Sequence, residues 1–328
     1  MGGAISTAGR PAAAIAHAGA GTPPEHRDGC EAAVDTALRA LAAGADPVDA
    51  AVAGVVVLED DPRFNAGTGS VLRLDGSVQM DASVMDGQGG RFGAVAGVER
   101  VKNPVQVARA VLETPHLLLA GEGATAFARR LGLGEHEVAT PERRAALARV
   151  WDRLRRGAAD LPPFWRGPRW RGWWNYPAPP PTAGDAGPPA GSGGRQPASD
   201  TVGVVVRAAD GRFAAALSTG GSSLMLRGRV GDVPLFGAGL FAGSAGGAAA
   251  TGAGERITER LLAHRVHEWM AAGVAAQEAA DRAVASVQAA APGEFIGIVV
   301  LAPAEMAAAA GQPMAWAGRE EGGPWRGP

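Results

Sequence analysis

Lysine is almost absent. One residue, Lys102, stands among 31 basic side chains in a chain of 328 residues. A Walker-type phosphate loop needs a Gly-Lys pair, and none exists. Schiff-base chemistry would have to use Lys102, which sits in a plain Val-Lys-Asn-Pro turn. Cysteine is as scarce. Cys30 alone forms no internal disulfide and no cysteine-rich metal site, and it reads as a small buried apolar residue. No G-x-S-x-G elbow is present. The six histidines are scattered, and His264 and His267, three apart on an expected helix, have no third ligand at useful spacing. They read as a solvated helix face. A net charge of -2 gives no argument for a nucleic-acid or membrane partner. The longest apolar runs, 50–58 and 296–302, are too short to span a bilayer. Arg10, Pro11 and His17 interrupt the first twenty residues, so no secretory leader is expected. A soluble, cytoplasmic protein is the expectation.

Hydrophobic residues make up 46% of the chain and charged residues 20%, so a sizeable core can be buried and wholesale disorder is excluded. Gly 49 and Pro 24 are in excess. Part of that excess lies in residues 157–198, which hold ten Pro, eight Gly and four of the eight Trp. The composition predicts a linker or irregular arm there. Within it, Trp165, Trp170, Trp173 and Trp174 alternate with Arg166, Arg169 and Arg171. Such a run can stack on single-stranded nucleic acid, or its tryptophans can pin the arm to the body or to a partner subunit. The chain carries no basic surplus, which favours pinning.

Before the arm, helices and strands alternate. Asp28 and Glu31 suggest a capping box ahead of Ala33, Val34, Ala37, Leu38 and Leu41, with Gly44 as the stop. Asp46-Pro47 opens a second, buried helix. Asp75-Gly76 predicts a hairpin between 71–74 and 78–84. A strand over 93–99 follows, then helices from Asn103-Pro104 to about Glu113 and from Thr140-Pro141 to about Arg156. After the arm, a strand begins at Thr201 with no run-in, and Asp210-Gly211 turns it into 213–218. A strand is expected over 248–251, one helix over 255–270, another over 277–290, and strands over 294–301 and 314–318.

Hydroxyls and glycines bunch in the last third. Asp200-Thr201-Val202-Gly203, Ser218-Thr219-Gly220-Gly221, Gly228-Arg229-Val230-Gly231-Asp232 and Ala250-Thr251-Gly252-Ala253-Gly254-Glu255 fall within about 55 residues. Each alone is ordinary turn chemistry. Together they offer bare backbone beside polar groups, where a small ligand can meet N–H donors. A threonine that opens a strand after a loose linker suggests a mechanism. A cut before Thr201 would free its α-amino group, which titrates at about 7.7–8.0 in models. That amine can serve as base for the residue's own hydroxyl, so no histidine is needed.

These four segments, with His17-Ala-Gly-Ala-Gly21, Phe64-Asn-Ala-Gly-Thr-Gly-Ser70 and Met80-Asp-Ala-Ser-Val-Met-Asp-Gly87, resemble the N-terminal-nucleophile (Ntn) hydrolases of the plant-type asparaginase and isoaspartyl peptidase family, related to the glycosylasparaginases. The resemblance covers roughly residues 14–135 and 199–301. It implies an α+β fold, a four-layer αββα sandwich. The chain would be made as one precursor and cut between Asp200 and Thr201 into an α subunit, 1–200, and a β subunit, 201–328. It implies Thr201 as nucleophile and Thr219 as its support. Thr251 and Gly252 would form the oxyanion hole. Arg229 would grip the α-carboxylate and Asp232 the α-amine of an aspartyl group, with Gly254 lining the pocket and Asn65 approaching from the α subunit. No cofactor is required for catalysis. A structural sodium ion is implied on the carbonyls of Leu58, Glu59, Asp61, Phe64, Ala66 and Thr68. The substrate would be a small molecule, asparagine or a β-aspartyl dipeptide, and the assembly a homodimer of cleaved pairs. Asp200, where plant-type members usually carry Gly, instead resembles the branch acting on glycosylated asparagine. Ala18 in place of a common Gly, and Val233 in place of a usual Ser, are further departures that remove no catalytic group. Three rivals remain: hydrolysis of glycosylated asparagine, a nucleic-acid or partner binder using the Trp/Arg arm, and an uncut, inactive homologue. An arm folded over the pocket mouth would shape the choice of leaving group.

Overall fold

The computed structural model describes residues 10–177, 179–180 and 201–328. Strands β1 (Ala13–Ala20), β2 (Met80–Asp86), β3 (Arg91–Val98), β4 (Leu118–Ala120), β5 (Val202–Arg207), β6 (Phe213–Thr219) and β11 (Met314–Glu320) form one sheet in the order β11-β1-β5-β6-β2-β3-β4. Strands β7 (Leu240–Gly243), β8 (Gly246–Gly252), β9 (Ile296–Leu301) and β10 (Met306–Ala310) form a second, in the order β10-β9-β8-β7. Ile15, Met85, Val205, Leu217, Leu240 and Val299 fill the space between the sheets. Helices α1 (Arg27–Ala42), α2 (Pro47–Asp60) and α3 (Pro104–Val111) bury Val34, Val55 and Val107 against the outer face of the larger sheet. Helices α8 (Leu262–Ala271) and α9 (Ala276–Ala290) bury Val266 and Val287 against the smaller one. The layers run α-β-β-α, as the resemblance implied.

Both sheets are covered on both faces, so their strands are apolar nearly throughout. Alternation still sorts the side chains. In β5, Val202, Val204 and Val206 face the helices while Val205 faces the other sheet. In β6, Phe213, Ala215 and Leu217 face inward. In β8, Ala249 does, while Ala248 and Ala250 meet α8 and α9. The same period of two directs Thr201, Thr219 and Thr251 into the gap between the sheets.

Several local expectations change. Asp28 does not cap α1, which begins at Arg27 with His26 before it. Its carboxylate instead takes both Arg63 Nη1 (3.0 Å) and Nη2 (2.9 Å), and Glu31 pairs with Arg27. Asp75-Gly76 does turn the chain, with Arg73 N donating to the Ser77 carbonyl at 2.8 Å and Gly76 at φ 85. Only Met80–Asp86 becomes a strand, however, and it pairs with β3 and β6 rather than with residues 71–74. The single helix expected over 255–270 divides into α7 (Gly254–Thr258) and α8. Between them Leu261 adopts φ 46, and the Ala263 and His264 amides donate to the carbonyls of Ala238 and Gly237. That break turns α8 onto the smaller sheet.

The arm is partly ordered. Helix α5 (Pro141–Arg156) ends at Gly157, φ 58, in a left-handed cap. Helix α6 (Pro163–Arg166) and a 3₁₀ turn, Pro168–Trp173, follow. Trp165 and Trp170 are buried beside Trp151, Leu154, Leu161, Leu74 and Tyr176. Tryptophan packing thus pins residues 158–177 to the body. Trp173 stays exposed. The rest of the 157–198 arm lies outside the described residues, apart from 179–180.

Candidate active site

Thr201 stands immediately before β5 and Thr219 ends β6, its neighbour. The antiparallel register pairs Val202 with Ser218, which brings the two threonines together. Thr201 Oγ1 donates to Thr219 Oγ1 at 3.3 Å, and both residues are buried. Thr219 Oγ1 also accepts the Gly221 amide at 3.0 Å. With two donors on its oxygen, one lone pair of Thr219 takes the Gly221 amide and the other the Thr201 hydroxyl.

The smaller sheet supplies the opposite wall. A Cβ on Gly203 would lie 3.1 Å from Ala249 Cβ, and one on Gly247 2.6 Å from Val205 Cγ1. Inner-face positions therefore march in opposite directions, Val205 over Gly247 and Gly203 over Ala249. The next step along both strands sets Thr201 across from Thr251. Thr251 Oγ1 accepts the Ala20 amide at 3.2 Å, which leaves its hydroxyl proton to donate. Gly252 has φ 132, and a Cβ there would overlap the Phe295 carbonyl. Only glycine fits the turn that follows Thr251.

Asn65 secures the floor. Its backbone carbonyl accepts the Gly220 amide (2.9 Å), its Nδ2 donates to the Gly221 carbonyl (2.7 Å), and its Oδ1 accepts the Val71 amide (2.8 Å). The residue thereby stitches the Phe64-Asn65-Ala66-Gly67 loop to the Thr219-Gly220-Gly221 turn. Both of its side-chain polar atoms are spent on backbone.

Arg229, Asp232 and Gly254 converge as a second group. A Cβ on Gly254 would lie 2.8 Å from both Arg229 Nη2 and Asp232 Oδ1. A Cβ on Gly239 would lie 2.8 Å from Asp232 Oδ2 and from Leu217, two residues before Thr219. Asp232 Oδ2 is buried without a hydrogen-bond partner. Burial pushes the Asp232 carboxyl up to about 7, against the pull of the neighbouring Arg229. The Arg229 fork closes on Glu255, with Nε to Oε1 at 2.8 Å and Nη2 to Oε2 at 2.7 Å. Sequence reading missed this partner. Glu255 follows Gly254 as a first-turn acid of α7, and nothing in its spacing discloses a carboxylate lying 26 positions from the arginine it holds. Replacing Gly254 with Ala favours the helix but fills the space between Arg229 and Asp232. If Arg229 and Asp232 clamp an aspartyl group, as the resemblance implies, KM for it should rise at least about tenfold with little change in Tm, checked by steady-state kinetics and a thermal melt.

The sequence assigns His17 no catalytic role. It is fully buried at the inner face of β1, opposite Gly203 in the register, and a Cβ on Gly203 would come 2.6 Å from its Nε2. Burial lowers its pKa to about 3, so the ring is neutral and fills space beside Thr201. Asp200, on the other side of Thr201, lies outside the described residues.

The loop closing α2 is held by backbone. The Glu59 carbonyl accepts the Thr68 amide (2.8 Å) and the Asp61 carbonyl the Phe64 amide (3.1 Å). Gly69, at φ 96, lies against the Pro62 and Phe64 carbonyls, the latter 2.8 Å from where a Cβ would stand. Among the described residues no group of three His, Cys, Asp or Glu side chains could hold a metal ion, and no helix is long and apolar enough to cross a membrane.

The sequence has relatives among known proteins. A family model described as Asparaginase matches residues 10–322. The chain belongs to the asparaginase family. It is 40% identical over 287 residues to a plant-type L-asparaginase of Pyrococcus furiosus, covering 83% of this chain and 84% of that one. It is 39% identical over 278 residues to an isoaspartyl peptidase/L-asparaginase of Danio rerio, covering 83% and 80%. The mouse protein of the same name is 36% identical over 263 residues, covering 79% and 70%. This asparaginase-family chain is therefore a hydrolase, and the two sheets with their flanking helices fit the family's Ntn-hydrolase fold.

Proposed function

We propose that the chain hydrolyses L-asparagine and β-aspartyl dipeptides through an ester on Thr201, after cleavage of the Asp200–Thr201 bond. The observation that carries this reading is the 3.3 Å contact between Thr201 and Thr219 hydroxyls at strand ends facing Thr251. Cleavage frees the Thr201 amine, which accepts the Thr201 hydroxyl proton as the oxygen attacks the substrate's side-chain carbonyl. The Thr251 hydroxyl and the Gly252 amide donate to the developing oxyanion. Ammonia or the peptide amine leaves with a proton, and water then hydrolyses the β-aspartyl ester.

Selectivity for the aspartyl end rests on Arg229 and Asp232. The guanidinium pairs with the α-carboxylate, and the ionised Asp232 pairs with the α-ammonium. Glu255 stands in for that carboxylate on Arg229 before substrate arrives. Asp232 must be charged to pair, and its carboxyl sits near 7. As pH falls through about 7 the fraction ionised falls, so KM for asparagine should rise on the acid side. In Asp232→Asn KM should be high throughout and nearly flat over about pH 5.5–8. A wild-type KM constant over that range would contradict the role.

A structural sodium ion would sit in the closing loop of α2 on the carbonyls of Leu58, Glu59, Asp61, Phe64, Ala66 and Thr68; of these, the Glu59 and Phe64 carbonyls lie against the positive-φ Gly67 and Gly69. It would stiffen the loop that carries Asn65. We place the enzyme in the cytoplasm, as a homodimer of cleaved pairs. The leaving group is settled by assaying asparagine, a β-aspartyl dipeptide and a glycosyl-asparagine side by side. Turnover of the first two supports the reading, and turnover of only the third overturns it.

A further inference from the structure

The strip that carries Arg229 has little structure of its own. Residues 221–232 form neither helix nor strand, and the Arg229 amide makes a single local bond, to the Leu226 carbonyl at 3.2 Å. Glu255 holds the Arg229 guanidinium and Thr219 the Gly221 amide, while the stretch between is anchored by residues that precede Thr201. Asn175 grips Arg227 twice, Nδ2 donating to the carbonyl at 2.9 Å and Oδ1 accepting the amide at 3.0 Å. The Tyr176 hydroxyl donates to the Met225 carbonyl at 2.6 Å and accepts the Leu74 amide at 3.4 Å. Gln79 Oε1 accepts the Gly228 amide at 3.1 Å. The Arg227 guanidinium meets Glu99 at 3.0 Å and Asp75 at 3.3 Å.

Apolar packing reinforces the grip. Leu224 and Leu226 lie against the cluster of Trp151, Trp165, Trp170 and Tyr176. The Trp174 ring leans against Tyr176, with centroids 4.6 Å apart and planes tilted by 46°. The tryptophan-rich arm therefore supports the back of the strip whose far end presents Arg229. Asn175 fastens the strip two residues before the guanidinium, with Gly228, φ 79, as the turn between.

We propose that Asn175 and Tyr176 are positioning residues for the substrate's α-carboxylate: the arm of the N-terminal segment sets where Arg229 stands. This rests on Arg229 being the carboxylate clamp. The clamp binds ground state and transition state alike, so loosening it weakens binding and spares the chemical step.

The test uses the purified, processed enzyme with asparagine and with a β-aspartyl dipeptide. Asn175→Ala should raise KM for both about tenfold, the scale of one or two neutral hydrogen bonds, with kcat within about twofold. Tyr176→Phe, which keeps the ring and its packing, should move KM in the same direction. The inhibition constant of L-aspartate, which carries the same α-carboxylate, should rise in parallel. In an Arg229→Ala background, Asn175→Ala should add no further loss, because the group it positions is gone. Unchanged KM and aspartate affinity in both arm variants, with Arg229→Ala strongly impaired, would overturn the tether and leave the clamp standing. Normal KM in Arg229→Ala would overturn the clamp, and the tether with it. A fall in kcat equal to the rise in KM would mark a purely structural role and also defeat the proposal.

Discussion

Thr201→Ala is expected to give a chain that remains in one piece and hydrolyses neither asparagine nor a β-aspartyl dipeptide. Two reactions fail for one reason. On the proposed mechanism, one hydroxyl attacks both the substrate and the peptide bond before Thr201. Removing a nucleophile from a hydrolase site costs about 10⁶ in kcat. The methyl of Ala fits where Thr201 packs at the head of β5, so the fold should persist with an unchanged far-ultraviolet spectrum. Thr201→Ser keeps the hydroxyl and should retain cleavage and activity. Full hydrolysis by the Ala variant would remove Thr201 from the mechanism.

Thr251→Val carries the second large effect. Valine matches the shape but donates nothing. If the Thr251 hydroxyl stabilises the oxyanion, kcat should fall about 10²–10³-fold while KM for asparagine stays within a few-fold. The variant also leaves the Ala20 amide, which donates to Thr251 at 3.2 Å, without its acceptor. A buried unpaired amide costs about 1–3 kcal/mol, visible as a lowered Tm. The two readouts separate the roles: a lower Tm with normal kcat would leave Thr251 a purely structural residue.

Much of the candidate site was legible because it is written in short segments. Thr201, Thr219, Thr251 and Gly252 each lie at a strand end, where hydroxyl and glycine stand out against apolar runs. The convergence of Arg229, Asp232 and Gly254 came only from the family resemblance, not from their spacing. What the sequence hid is pairing between distant elements. Glu255 on Arg229 and Ala20 on Thr251 depend on which strand lies opposite which, and no local pattern states that.

Fold errors have the same source. The Asp75-Gly76 turn is real, yet its expected hairpin partners separate because Met80–Asp86 gains more by pairing with β3 and β6 between two covered faces. Strand β1, Ala-Ala-Ile-Ala-His-Ala-Gly-Ala, has little intrinsic strand preference and is held by β5 and β11 on either side. Helix period continued through Leu261, but packing onto the smaller sheet broke it there. The arm looked like a linker because no period of 2 or 3.6 orders its tryptophans. Trp165, Trp170 and Trp174 pack as a cluster of rings instead.

Self-cleavage at Asp200–Thr201 is the central claim, since both the nucleophile and its base depend on it. Purified chain, incubated and run on a denaturing gel, should resolve into two bands, and N-terminal sequencing of the smaller should read Thr-Val-Gly-Val. A single intact band that nonetheless hydrolyses asparagine would contradict the account.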